Sequence, residues 1–135
     1  TKYNFEVLSP IAGGLSTFQE TMLERLWASF FPVIDSGLES ASFQACVWEI
    51  IYDADSMDIA SDDFIVNPPS GGVPALAQGW LDAVNDVGYA GPTQNLVVLH
   101  NSEIQDQITS VPAPATAALA MLGLGAVARR RRSRA

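Results

Sequence analysis

Two side chains that could take part in chemistry, the amide of Gln44 and the indole of Trp48, stand four residues apart in the most apolar run of the chain's globular part, residues 40–53. At helical spacing they share a face, and an amide beside a large aromatic on a mostly buried helix needs hydrogen-bond partners. Gln44 is therefore either a satisfied structural group or a reactive acyl group. The single cysteine, Cys46, falls on the apolar stripe of the same helix. There a thiol behaves as a small hydrophobe, and no second cysteine exists in the chain to form a disulfide with it. Five aspartates follow, Asp53, Asp55, Asp58, Asp62 and Asp63. Counted from Asp53, an EF-hand needs an oxygen ligand at position 5 and glycine at position 6, where this chain has Met57 and Asp58; the aspartates read instead as turns and helix caps. His100 has no second histidine or cysteine near it in sequence, which argues against a metal site or a Cys-His pair. Neither a Gly-rich phosphate loop nor a Gly-x-Ser-x-Gly elbow occurs. No catalytic centre, metal or cofactor is expected.

The elements that must position these residues can be read from periodicity. Phe43, Cys46, Val47, Ile50 and Ile51 recur as one helical stripe, predicting a buried helix over 40–53 capped by Ser40 or Ser42. Ahead of it, Phe18, Met22, Leu23, Leu26, Trp27 and Phe30 mark one face of a first helix. A capping box formed by Ser16 with Gln19, or by Thr17 with Glu20, starts that helix, and Pro32 ends it. A third helix carries Val73, Leu76, Ala77, Trp80, Leu81 and Val84, with Pro74 tolerable in its first turn and Gly88 as its stop. Each helix holds one tryptophan, read as a core anchor. Short strands are predicted at residues 3–9, 63–67 and 94–100. The fold class is α+β, three amphipathic helices with about three short strands, followed by a C-terminal hydrophobic helix.

Charge is distributed unevenly along the 135 residues. Of seven basic side chains, five are Arg129, Arg130, Arg131, Arg132 and Arg134; Lys2 and Arg25 remain against all fifteen acids, a net −13 for residues 1–128. Such a body repels phosphate backbones, which excludes nucleic acid as a partner. The arginines belong to a separate module: a polar spacer at 106–110, then Val111-Pro112-Ala113-Pro114, then an apolar run over 115–128. Fourteen helical residues reach about 21 Å, short of a hydrocarbon core of roughly 30 Å, so insertion would be tilted or transient. The arginines remain on the cytoplasmic side, which puts residues 1–114 outside it.

That order resembles the PEP-CTERM sorting signal of Gram-negative bacteria, over residues 111–135. The resemblance implies an exported protein of the cell surface or exopolysaccharide (biofilm) matrix. Its tail would be held in the inner membrane and processed by an exosortase at the motif Val111, Pro112, Ala113, Pro114, with Arg129 to Arg132 and Arg134 as the membrane stop. Ala113 stands where the family has glutamate.

Residues 41–50, Ala-Ser-Phe-Gln-Ala-Cys-Val-Trp-Glu-Ile, are similar to the segment around the glutamine of thioester (TQXA-type) surface-adhesin domains. Tyr52-Asp53, Trp80-Leu81 and Gln105-Asp106-Gln107 look like exported PEP-CTERM proteins that carry such a domain. In those domains a glutamine side chain is joined to an upstream cysteine, and Gln44 matches that glutamine. Cys46, two residues away and facing elsewhere, cannot be its partner. The expected organisation is an exported α+β domain at 1–104, shortened at its amino end. A linker and sorting motif follow at 105–114, then a transmembrane-type helix at 115–128 and a basic cytoplasmic tail at 129–135. The expected role is non-catalytic binding or structure, toward extracellular polysaccharide or surface-protein amines. The alternative is a covalent adhesin in which Gln44 forms an internal thioester with a cysteine outside residues 1–135.

Overall fold

Three helices pack on one another beside a three-stranded antiparallel sheet, which adds Leu96 and Ile108 to their core, in a computed structural model that describes residues 2–61, 65–66 and 71–111. The first helix, α1 (Thr17–Phe30), opens with the Ser16/Gln19 capping box, so two of its otherwise unpaired amide donors are satisfied locally. Met22, Leu23 and Leu26 form its buried face. Pro32 follows within a short 3-10 turn, Phe31–Val33, which turns the chain toward α2 (Gly37–Tyr52). The third helix, α3 (Val73–Asn85), starts from two glycines with positive φ, Gly71 at 58° and Gly72 at 94°, a conformation in which a Cβ would be strained.

The core lies between the three helices and the inner face of the sheet. Leu23, Leu26, Cys46, Ile50, Ala77, Leu81 and Val84 are completely covered. Phe30 stacks on Trp80 with ring centroids 4.8 Å apart, and Trp27 meets Phe43 edge-on at 5.0 Å. Arg25 donates from Nη1 to the Val84 carbonyl at 2.8 Å and lies 4.6 Å over the Tyr89 ring, binding α1 to the end of α3.

Strand β2 (Leu96–His100) is central, flanked by β1 (Glu6–Leu8) and β3 (Gln107–Ser110). Val7 pairs with Leu99 and Ile108 with Val98. The alternation Leu96, Val98 inward and Val97, Leu99 outward follows from the two-residue period of a strand packed on one side. Gly13 allows the preceding turn to lie on β2: a Cβ there would sit 2.9 Å from Cγ2 of Val98.

The α+β architecture thus holds, with two of the strands shorter than expected and the third in a different stretch. The strand predicted at 3–9 is confined to β1, and that at 94–100 to β2. Of the strand predicted at 63–67 only Ile65 and Val66 lie among the described residues, and neither is in a strand. The third strand is β3, in the stretch read as a polar spacer and linker; Ile108 is its main apolar contact with the core. The cap of helix α2 lies four residues before Ser40, at a Ser36/Glu39 capping box, and Ser42 is buried within the helix instead of capping it. Asp86, not Gly88, caps α3. No helix among the described residues is long and apolar enough to cross a membrane; the apolar run 115–128, the arginines after it and Pro112 to Pro114 lie outside the described residues.

Candidate binding groove

Helix α2 presents two opposite characters. On its inner side Cys46 is fully covered and its thiol donates to the Ala77 carbonyl at 3.3 Å. Burial pushes that thiol up to about 12, leaving almost no thiolate at neutral pH. On its outer side Gln44, Trp48 and Tyr52 follow one another at intervals of four, a ladder along one face. Gln44 is exposed, which corrects the expectation that its amide needs partners inside the core. Trp48 is half-buried and stacks on Tyr52 with centroids 5.3 Å apart, so it is a surface platform more than a core anchor.

The ladder forms one wall of an open groove of about 550 Å³, whose other wall is Gln105, Gln107 and Ile108 at the start of β3, with Phe43 and Trp27 on its floor. Beyond Tyr52 a second recess of about 460 Å³ shares Gln105 and Asp106 and continues past His100 and Asn101. The loop that carries Gln105 is fixed from within. His100 Nδ1 is 2.8 Å from Asp106 Oδ1 and 3.0 Å from Oδ2, and the Asn101 amide donates to the same carboxylate at 3.3 Å. The Asn101 side chain in turn donates to the Asn4 carbonyl at 2.7 Å, tying the loop to the approach of β1.

The six glutamines divide by use. Gln19, Gln78 and Gln94 spend their amides on the fold: Gln19 donates to the carbonyls of Ile50 and Ile51, Gln78 holds Met57 and Ile59, and Gln94 donates to the Val111 carbonyl. The side-chain amides of Gln44, Gln105 and Gln107 make no hydrogen bond to another described residue, and all three line the groove. Val111, first residue of the expected sorting motif, is anchored: its amide donates to the Asn95 carbonyl at 2.9 Å.

A further polar residue lies beneath the other end of α2. Glu49 is fully covered, accepts from the Ser56 hydroxyl at 3.4 Å, and leaves Oε2 with no partner among the described residues. Burial, with Asp53 next to it, raises its carboxyl to about 7, although Ser56 and the Asp58 backbone pull the other way. The periodicity carried this signal, since Glu49 is three residues past Cys46 on the same buried face. Asp58 turns the loop itself, accepting from the Ala60 amide at 3.1 Å. Among the described residues no three His, Cys, Asp or Glu side chains converge as metal ligands would.

No family model, curated protein or solved structure matches the chain.

Proposed function

We propose that this is an exported cell-surface or matrix protein whose globular part binds a ligand without transforming it, and whose tail is a PEP-CTERM-type sorting signal read by an exosortase at the inner membrane. The observation that carries the binding half is the groove along α2, lined by an aromatic pair and three unspent amides, one on the same helix and two across the groove. Among the described residues that line the groove there is no serine, cysteine or histidine nucleophile with a base beside it. The sorting half rests on the order of Val111-Pro112-Ala113-Pro114, the apolar run and the arginines. Replacing Pro112 and Pro114 should block processing, and deleting residues 129–134 should let the precursor pass the membrane. Equal amounts of processed protein from both variants and the parent would remove the sorting claim.

A second reading, the covalent adhesin, draws on one observation: the Gln44 amide is exposed and unbonded, open to a thiol. Thioester formation would expel one ammonia as the thiol sulfur replaces the amide nitrogen on the Gln44 carbonyl. Cys46 does not serve, being turned into the core. An intact protein with an upstream cysteine and no mass loss of one ammonia would end this reading.

A further inference from the structure

We infer that the groove between α2 and β3 is a binding site for a neutral oligosaccharide, an inference that rests on the non-catalytic binding role proposed above. A pyranose has two kinds of surface, an apolar face of C–H groups and a rim of hydroxyls that both donate and accept. A site for it needs a flat apolar platform and planar polar groups that can do both. Tyr52 supplies the platform: Trp48 stacks behind its ring, and the residue is 59% exposed although water is a poor partner for an aromatic face. Gln44, Gln105 and Gln107 supply the rim, each amide offering two donors and an acceptor side by side to adjacent hydroxyls.

The way the chain uses its glutamines sharpens the assignment. Where an amide can serve the fold it does so, as at Gln19, Gln78 and Gln94. The three left over come from two separate elements, α2 and the start of β3, and meet across one groove. The one carboxylate there, Asp106, is held by His100 and the Asn101 amide, and no lysine or arginine is among the described residues that line the groove, so nothing there pairs with an anionic ligand. Charge decides between saccharide classes: residues 1–128 carry two basic side chains against fifteen acids, which disfavours uronate or sulfated chains at long range. At about 550 Å³, with the second recess continuing past Tyr52, the groove is open along its length, as suits a chain passing through and not a monosaccharide enclosed on all sides.

The test is a titration of the full 135-residue chain, held in a zwitterionic detergent free of sugar, with cellotetraose, maltotetraose, tetragalacturonate and an uncharged tetrapeptide. The readout is the indole N–H resonances of the three tryptophans, of which Trp80 is 8% exposed, in the core, and serves as the internal control. A saturable shift of the Trp48 signal with one of the neutral tetrasaccharides, with Trp80 unmoved, is expected. Tyr52→Ala should weaken binding about tenfold through loss of the platform. The double variant Gln44→Ala/Gln107→Ala should weaken it to a similar extent through a different element. Val87→Ala, at a fully exposed site away from the groove, should leave it unchanged. The inference is overturned if neither neutral tetrasaccharide gives a saturable shift, if both groove variants bind like the parent, or if tetragalacturonate or the peptide binds more tightly. Because processing of the tail is measured separately, failure here and failure of sorting are distinguishable.

Discussion

Replacing Glu49 with glutamine should remove a pH dependence from the stability of this domain. In the folded chain the carboxyl is covered, has one oxygen without a partner among the described residues, and is raised from 4.5 to about 7 by burial and by Asp53. Between those two pH values the native state keeps a proton that the unfolded chain has released. Stability from this group is therefore complete below about pH 4.5, declines as the pH rises toward 7, and is flat above. At about 1.4 kcal/mol per unit the rise amounts to roughly 3 kcal/mol; because Glu49 lies close beneath the surface, water screens part of it, and about 2 kcal/mol is expected. Glutamine has nearly the same shape and never ionises. Urea unfolding of parent and Glu49→Gln at intervals from pH 4.5 to 8 gives two stability curves whose difference isolates this residue, since the other carboxylates cancel. The variant should gain about 2 kcal/mol relative to the parent between the lowest pH and pH 8, on top of any constant offset from the new amide. A difference that stays constant across the range would refute the argument.

Two other perturbations follow from particular contacts. Gly13→Ala should destabilise by about 1–3 kcal/mol, seen as a lower urea midpoint at unchanged slope, because its Cβ would sit 2.9–3.2 Å from three carbons of the branched Val98 side chain, which would have to shift. Parental stability would mean that the turn is not held on β2. Cys46, with its thiol pushed up to about 12 from 9.0, should react with a disulfide reagent at pH 8 about a thousandfold more slowly in the folded chain than in urea. Reaction of the folded protein at the unfolded rate would place the thiol at the surface.

The helices were legible because each buries one face, and burial on one face writes a 3.6-residue period into the sequence. The α1 cap was equally plain, as Ser16 and Gln19 satisfy each other without help from the rest of the fold. The start of α2 was harder to see, since Gly37 and the exposed Leu38 break the apolar pattern just where Ser36 and Glu39 cap it. Strand β3 was hidden for a related reason: an edge strand with exposed polar residues such as Gln107 and Thr109 has few apolar positions, and its pairing with β2 is a property of distant sequence. The groove was half legible. The spacing of Gln44 and Trp48 put them together on α2, but the wall opposite depends on where β3 lies, and the exposure of Gln44 depends on α2 turning Cys46 and Glu49 inward in its place.

The two hydrogen bonds from Gln19 to the carbonyls of Ile50 and Ile51 bear on the thermodynamics of any ligand in the groove. The last turn of a helix ordinarily frays, and Tyr52 is the last residue of α2. With those carbonyls held by a side chain that is itself fixed in the α1 cap, the backbone beneath Tyr52 and Trp48 is already ordered in the free protein. Preorganisation of this kind spares a ligand the entropy of freezing its own binding surface, so a weak, shallow contact can still be selective.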